Sequence, residues 1–279
     1  MASAKFDFEF PNKNWTQQIL ELKKDILGIA RQTIRIEAET LLALADSLGD
    51  ATDFQACVEA VAASPGRLVL TGIGKSAIVA QKITATLNST GTPALFLHAA
   101  DAIHGDLGMI QPDDTVLCIS KSGDTPEIKV LIPLIKRTGV KMIAMVSNTN
   151  SFLAKQSDFV INAFVAQEAC PLNLAPTTST TVALALGDAL AICLLELRGF
   201  GTRDFAKYHP GGALGKKLYL KVSDLYPQHA VPKVQLTATV KETILEISSK
   251  RLGATAVVDE HDNLVGIVTD GDLRRMLNK

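Results

Sequence analysis

Two stretches that each follow an apolar run carry the side chains best suited to holding a phosphate. In the first, Ser120, Ser122 and Thr125 surround Gly123, and a helical pattern begins at Glu127. Glycine lets the backbone approach a ligand, and free amides at the start of a helix attract anions. We therefore interpret this stretch as a strand-to-helix turn that cradles a phosphate, although serine and threonine also cap helices that bind nothing.

The second stretch is the loop Gly72–Ser76, which also follows a strand pattern and opens a helical one. With Ala77 in the last place it loosely fits a dinucleotide-binding fingerprint. It is not a P-loop, because Val69 stands where that motif needs glycine. Lys75 beside a glycine indicates direct contact with an anion. The alternative is a solvated lysine in the first turn of a helix.

A predicted loop gathers His98, Asp101, His104 and Asp106. The spacing fits no standard zinc pattern. We interpret His104 as a catalytic or substrate-contacting residue. The alternative is that these histidines only form hydrogen bonds with neighbouring carboxylates.

Two more titratable residues lie in unusual settings. Glu168 precedes a proline-containing loop and the hydroxyl-rich start of an apolar helix, Thr177–Thr181. Burial raises the pKa of a carboxyl, which suits a general base. His209 opens the stiff bend His209–Gly212. The alternatives are an exposed loop glutamate beside a helix cap, and a packing histidine between domains.

The elements that must position these groups alternate between strands and helices. The strand patterns are continuous apolar runs, which is typical of a parallel sheet covered on both faces. Ligands of such sheets bind beyond the carboxyl ends of the strands, where both phosphate loops fall. We predict a doubly wound, mainly parallel five-stranded α/β sheet, with strands at residues 67–72, 94–98, 114–120, 141–147 and 158–163 and helices at 75–89, 127–138, 151–156 and 178–198.

Further elements precede and follow the sheet region in the sequence. We expect a loose arm at residues 1–14, a helix from Thr16 to about Leu48 suited to a subunit interface, and a helix at 53–63. The expected domains are 1–213, a linker at 214–230, and a small α+β unit at 231–279. This last unit should contain helices at 240–251 and 272–277 and strands at 254–259 and 264–269.

The composition excludes several classes of protein. The 279 residues are 47% hydrophobic and carry a net charge of −1, which leaves no basic footprint for nucleic acid or an anionic membrane. The four cysteines have no metal or redox spacing, so we expect reduced, mostly buried thiols. The N-terminus is not a secretory signal, and the apolar segment 182–195 is too short to span a bilayer. We expect a cytoplasmic protein.

Taken together, the motifs resemble those of the arabinose-5-phosphate isomerases, which are sugar isomerase (SIS) domain proteins with C-terminal CBS repeats. The resemblance covers nearly the whole chain and rests on the segments Gly72–Ser76, His104–Met109, Ser120–Thr125, Glu168–Leu172 and Tyr208–Gly215. It implies interconversion of D-ribulose 5-phosphate and D-arabinose 5-phosphate on the route to Kdo, a lipopolysaccharide sugar. It also implies a homotetramer that needs no organic cofactor or catalytic metal.

The resemblance assigns two sets of site residues. The catalytic set is Lys75, His104, Glu127, Glu168 and His209, and the phosphate-binding set is Ser76, Ser120, Ser122 and Thr125. His209 would reach the site of a neighbouring subunit, and zinc bound at His104, Glu168 and His209 would inhibit. Our hypothesis is that Glu168 shuttles the carbon proton and His209 serves the oxygens. Lys75 then stabilises negative charge, while Glu127 and His104 position hydroxyls.

Two features depart from the family pattern. Lys121 stands where the family more often has Asn or Gln, and we expect it to add a favourable charge beside the phosphate loop without altering the reaction. The C-terminal unit resembles one CBS repeat, whereas paired repeats form the nucleotide cleft that Thr269 and Asp272 would contact. Either the chain is a truncated form or two subunits supply one pair.

Two other functions compete with the isomerase interpretation. SIS domains also serve as sugar-phosphate-sensing modules without catalysis, although no DNA-binding helix pair is evident here. The glycine loop alone would also permit a nicotinamide dehydrogenase. Among isomerases, the motifs do not distinguish lipopolysaccharide from capsule or sugar-alcohol pathways.

Overall fold

The computed structural model describes residues 25–48, 52–212, 218 and 221–277. These form two compact units, the first ending at Tyr208 and the second beginning at His209. The predicted arm at 1–14 and the beginning of the helix predicted from Thr16 lie outside the described residues, as does the predicted domain boundary at 213.

The first unit alternates helices and strands along the described chain. Its elements are α1 (Ile26–Ser47), α2 (Thr52–Ala63), β1 (Leu68–Gly72), α3 (Lys75–Ser89), β2 (Ala94–His98), α4 (Ala99–Ala102), a 3-10 helix (Asp106–Met109), β3 (Thr115–Ile119), α5 (Pro126–Arg137), β4 (Lys141–Val146), α6 (Phe152–Gln156), β5 (Phe159–Asn162), α7 (Thr178–Leu197) and α8 (Thr202–Tyr208). The five predicted strands are confirmed with small shifts at their ends.

The sheet has the strand order β2-β1-β3-β4-β5, and every neighbouring pair is parallel. Gly72 at the end of β1 is in register with His98 of β2 and with Ile119 of β3. The chain leaves β1 toward one side of the sheet to form β2 and then crosses back to form β3. The order of strands therefore reverses beside β1, and the crevice for a ligand opens between β1 and β3.

Alternate residues of each strand enter two separate apolar cores. Leu68 and Leu70 of β1 pack with helices α2, α3 and α7, whereas Val69 between them packs with α5 and α6. This alternation follows from the two-residue period of a strand. Because both faces are covered, strand residues on either side are apolar, as the sequence predicts.

Helix α7 confirms the helix predicted at 178–198 and extends beyond both ends of its apolar segment 182–195. It runs for 20 residues and, among the described helices, is the one long and apolar enough to cross a membrane by length and composition. Our expectation of a segment too short for this was wrong about the length. Buried residues recur along α7 from Thr178 to Leu194, where it packs against α3. It is a core helix of this unit, as the sequence predicted.

The second unit is a small α+β assembly. Its elements are α9 (Val222–Leu225), a 3-10 helix (Tyr226–Gln228), β6 (Lys233–Gln235), α10 (Val240–Lys250), β7 (Ala254–Val258), β8 (Leu264–Thr269) and α11 (Asp270–Leu277). β6 pairs with β7 in parallel and β7 pairs with β8 antiparallel. The elements α9 and β6 were not predicted from the sequence, because both are very short.

Candidate active site

Both predicted phosphate loops lie at the crevice between β1 and β3. Gly72 and Ile119 are paired at the ends of their strands, so the loops that follow them start side by side. One loop leads into α3 at Lys75, and the other leads into α5 at Pro126. The starts of two helices of 15 and 12 residues therefore meet at this edge of the sheet. Such an edge favours an anionic ligand.

The loop after β3 is held in a tight turn by its own hydroxyl groups. The buried Ser120 Oγ accepts a hydrogen bond from the amide of Gly123 at 3.1 Å, and the exposed Ser122 Oγ accepts one from the amide of Asp124 at 3.3 Å. Gly123 has a φ of 68°, and a Cβ at this position would lie 2.1 Å from Ser151 Oγ. Only glycine fits this turn without strain.

Thr125, at the end of this loop, has a hydroxyl group that forms no hydrogen bond with the described residues. It precedes the first residue of α5, yet its side chain makes no capping hydrogen bond. Its Oγ1 is buried and has no hydrogen-bond partner among the described residues. Buried hydroxyls are normally paired, so this one is available to a ligand. Glu127, in the first turn of α5, is exposed.

A cavity of about 200 Å³ opens at this edge. Two of the predicted site residues, Lys75 and Ser76, line it. Lys121, Ser179 and Thr180 also line it, although none of them was predicted as a site residue. Apolar residues complete the wall: Ile73, Val79, Ile119, Met145, Ala163, Pro176 and Ala183. The cavity is therefore a mostly apolar pocket with two cationic groups.

Glu168 is buried beside this cavity and accepts hydrogen bonds at both carboxylate oxygens. Oε1 accepts from Lys121 Nζ at 2.6 Å and from Ser179 Oγ at 2.5 Å. Oε2 accepts from the amides of Thr177 at 2.9 Å and Ser179 at 3.0 Å, and from Thr177 Oγ1 at 3.3 Å. The Thr177–Thr181 stretch, which the sequence marked as a helix cap, thus provides most of the bonds that hold this carboxylate.

The expected rise in the pKa of Glu168 was wrong. Burial does raise the pKa of the carboxyl, but hydrogen bonds from Lys121, Ser179 and the amide of Thr177 outweigh burial and lower the pKa to about 2. Hydrogen bonds to the ionised form favour that form. The sequence revealed that Glu168 would be buried near a helix start but not that so many donors would converge on it.

The histidine segment forms short helices rather than the predicted loop. His98 ends β2, and its Nδ1 lies 3.6 Å from Asp101 Oδ2, which is too long for a hydrogen bond. His104 follows α4 with an exposed side chain, and its amide donates to the carbonyl of Asp101 at 2.9 Å. Neither His104 nor Glu127 is among the described residues that line the cavity. Both are accessible groups at the surface.

His209 is the first residue of the second unit and is half-buried. Its carbonyl accepts a hydrogen bond from the amide of Gly212 at 3.1 Å, which closes the predicted bend. In the described part of the chain, no group of three or more His, Cys, Asp or Glu side chains is placed to hold a metal ion. The predicted zinc contacts of His104, Glu168 and His209 therefore stay a prediction.

The four cysteines are free thiols, and their burial differs. Cys57 and Cys118 are buried, and burial raises the pKa of each thiol to about 12. Cys170 and Cys193 are only half-buried, in contrast to our expectation of mostly buried thiols. Backbone amides, that of Ala175 first, lower the pKa of the Cys170 thiol.

In the second unit, the predicted nucleotide contacts Thr269 and Asp272 bond to each other. Thr269 Oγ1 donates to Asp272 Oδ2 at 2.7 Å, and the Asp272 amide donates back to Thr269 Oγ1 at 3.3 Å. Hydrogen bonds to the carboxylate, from the Thr269 hydroxyl first and then from the Thr269 amide and the Arg275 side chain, lower the pKa of Asp272 to about 2. The pair caps the start of α11, and this structural role explains both residues without a nucleotide.

Comparison with known proteins identifies the family. The SIS domain model matches residues 63–193, and the CBS domain model matches residues 222–279. The chain is 52% identical to arabinose 5-phosphate isomerase KdsD of Pseudomonas aeruginosa over 256 residues, which cover 91% of this chain and 78% of that protein. The chain belongs to the arabinose 5-phosphate isomerase family. The resemblance drawn from the sequence motifs is confirmed.

Other members of the arabinose 5-phosphate isomerase family and one solved structure agree. The chain is 48% identical to arabinose 5-phosphate isomerase KpsF of Escherichia coli over 254 residues, which cover 91% of this chain and 77% of that protein. The structure of E. coli c3406 in complex with arabinose 5-phosphate matches with a TM-score of 0.65 and 38% identity, and it covers 67% of this chain and 98% of that chain. The predicted SIS fold is confirmed by this match.

Proposed function

We propose that this chain is an aldose–ketose isomerase that interconverts D-ribulose 5-phosphate and D-arabinose 5-phosphate. The observation that carries the proposal is the cavity at the β1–β3 crevice, which Lys75 and Lys121 line beside the phosphate loop. Its relatives KdsD and KpsF are named arabinose 5-phosphate isomerases, and c3406 was solved with arabinose 5-phosphate. A small phosphorylated sugar suits both the anion-binding edge and the polar groups of this cavity.

The phosphate is assigned to the loop after β3 and the start of α3. In this assignment the hydroxyls of Ser76, Ser120, Ser122 and Thr125 surround it together with loop amides. The unpaired hydroxyl of Thr125 supports the assignment, since a phosphate oxygen would give it a partner. Ser120 already accepts a bond from Gly123, so it shapes the loop and can still donate its proton to the ligand.

The reaction moves a proton between neighbouring carbons through an enediolate. It needs a base at carbon, a proton donor and acceptor at oxygen, and a cation near the developing charge. We keep all five predicted residues, Lys75, His104, Glu127, Glu168 and His209, as active-site residues. Because Glu168 has a pKa of about 2 and no free lone pair, we now assign the carbon proton to an exposed group, Glu127 or His104. His209 serves the oxygens.

This chemistry needs no redox cofactor, because no electron leaves the sugar, and we propose that it also proceeds without a catalytic metal. We place the enzyme in the cytoplasm, on the route to Kdo and lipopolysaccharide. We also propose a homotetramer in which His209 reaches a neighbouring site. Exposed apolar residues on α1, such as Ile34 and Leu42, each 67% exposed, support its use in subunit contacts. Nucleotide contacts at Thr269 and Asp272 remain a proposal for the CBS unit.

The test is turnover of a panel of pentose and hexose phosphates in D2O. We expect ribulose 5-phosphate to form from arabinose 5-phosphate, with deuterium from solvent in the product. Glu127→Gln or His104→Gln should stop this exchange if that residue is the base. Binding of sugar phosphates without turnover of any of them would instead establish the sensing module. Oxidation of a sugar that depends on NAD would establish the dehydrogenase.

A further inference from the structure

The two members of the Lys121–Glu168 ion pair differ sharply in exposure. The Lys121 side chain is 45% exposed and lines the cavity, whereas the Glu168 side chain is 1% exposed and does not line it. Their charged atoms are 2.6 Å apart. A ligand in the cavity would therefore contact the ammonium group of Lys121 and not the carboxylate behind it.

The carboxylate of Glu168 has no capacity left for a further partner. A carboxylate offers about four lone-pair sites, and here five hydrogen bonds already end on the two oxygens. All but the Lys121 bond come from Thr177 and Ser179, which are fixed at the start of α7. Glu168 is therefore a rigid acceptor whose cavity-facing partner is Lys121.

This arrangement fixes the position of Lys121. A lysine side chain normally samples many rotamers, but its ammonium group here is held at one point by a buried negative charge. An ammonium group has three N–H donors, so one bond to Glu168 leaves two for other acceptors. Preorganised donors of this kind stabilise charge that develops during a reaction.

We propose that Lys121 is a catalytic residue of the isomerisation, which contacts the substrate oxygen that becomes negatively charged, and that Glu168 is the positioning residue acting through it. The inference rests on the proposed function. When the base takes the proton, the C–H electron pair forms the carbon–carbon double bond, and the carbonyl π pair moves onto the oxygen. Lys121 donates a hydrogen bond to that oxygen and keeps its own proton.

The first test compares Lys121→Met with Lys82→Met. Lys82 is a matched control, because it is 47% exposed and also pairs with a carboxylate, that of Asp188, but does not line the cavity. Loss of one preorganised donor should lower kcat about 100-fold in Lys121→Met, with KM changed less than about fivefold. Lys82→Met should retain the kcat of the unmodified enzyme. The kcat of Lys121→Arg should be at least about tenfold higher than that of Lys121→Met, since arginine restores a charged donor.

The second test is a double-mutant cycle with Glu168→Gln. If Glu168 acts through Lys121, then Glu168→Gln lowers kcat in the unmodified enzyme but has little further effect in Lys121→Met. Residues that act as one unit are non-additive in this way. A purely structural role for Glu168 would instead lower thermal stability and leave the kcat of the folded fraction unchanged.

Three results would overturn the inference. They are an unchanged kcat in Lys121→Met, a change confined to KM, and additive losses of kcat in the double variant. The last would mean that Glu168 acts on the substrate independently. If Glu168→Gln does not fold, the comparison of Lys121→Met, Lys121→Arg and Lys82→Met still decides the role of Lys121. Failure of the proposed function is a separate outcome, because then the unmodified enzyme would turn over no sugar phosphate.

Discussion

The side chains of Arg67 and Asp114 form a two-pronged ion pair that joins the starts of β1 and β3. Asp114 Oδ2 lies 2.7 Å from Arg67 Nη2, and Asp114 Oδ1 accepts from Arg67 Nε at 3.2 Å and from the Arg67 amide at 2.8 Å. The amide of Gln111 adds a bond at 2.9 Å. The two strands that flank the crevice are therefore joined at the edge of the sheet opposite to the candidate active site.

We expect Asp114→Asn to destabilise the protein without altering catalysis. The Asp114 side chain is only 2% exposed, and the change removes one charge of the pair and leaves Arg67 unmatched. Because Arg67 is 37% exposed and can reach water, the loss should be about 2 kcal/mol in the free energy of unfolding. Urea titration measures this value, with the exposed neighbour in Asp113→Asn as the control. A drop in kcat without a loss of stability would contradict this view of the pair.

Much of the fold follows from the sequence because its signals are local. The apolar runs of β1 and β3 and the glycines after β1 can be recognised from short stretches of sequence. Both loops lie beyond the carboxyl ends of parallel strands, where ligands of such sheets bind. The elements β6 and α9 were not predicted because they are too short to show a periodic pattern of apolar residues. β6 is in addition defined by its pairing with β7, which lies beyond α10 in the chain.

The interior of the site was less predictable, for a related reason. Lys121 was noted as unusual, yet its partner Glu168 is 47 residues away, and no local pattern links the two. The pKa of Glu168 was predicted in the wrong direction because burial is visible in composition, whereas converging donors are visible only in three dimensions. Ser179 and Thr180 were seen as helix-capping residues and turned out to line the cavity as well.

Glu168 should make the stability of the protein depend on acid. Its pKa is about 2 in the folded chain against 4.5 as the ordinary value, so the unfolded chain binds the proton first as pH falls. The contribution is complete above about pH 4.5 and is lost as the pH falls toward 2. It amounts to roughly 3 kcal/mol.

Glu168→Gln removes this dependence. We therefore expect the difference in unfolding free energy between the unmodified protein and Glu168→Gln to shrink by about 3 kcal/mol between pH 6 and pH 2. Urea unfolding at a series of pH values measures it. A difference that stays constant over this range would mean that the folded carboxyl titrates as it does in the unfolded chain.

Thr125→Val should leave stability nearly unchanged but weaken substrate binding. The hydroxyl has no partner among the described residues, so its removal deletes no hydrogen bond within that part of the chain. If it donates to the substrate phosphate, its loss should raise KM roughly tenfold or more with little effect on kcat. Thr92→Val is the matched control, because Thr92 Oγ1 is also buried without a described partner but lies before β2, at the other end of the sheet. Equal KM values in the two variants would remove Thr125 from the phosphate site.

Gly123→Ala should distort the phosphate loop. The added methyl group would meet the side chain of Ser151 and would force a residue with a side chain into a φ of 68°. We expect a loss of about 1–3 kcal/mol in stability together with a higher KM. The control is Gly201→Ala, where the nearest atom to a new Cβ is 3.8 Å away and the backbone is not left-handed. Normal stability in Gly123→Ala would mean that the loop adjusts without difficulty.

Hydrogen bonds from the amides of Thr177 and Ser179 to the Glu168 carboxylate close the segment from Glu168 to Thr177 into a loop. Its two ends are pinned to the same buried carboxylate, while Leu172 and Leu174 at its tip are 74% and 77% exposed. Because these two leucine side chains are exposed, we expect changes to them to disturb the packing of the sheet little. Anyone wishing to redesign what this enzyme admits, or to attach a reporter dye near its pocket, can exchange Leu172 or Leu174 but should keep Asn173, whose Oδ1 accepts a hydrogen bond from the Glu168 amide at 2.7 Å.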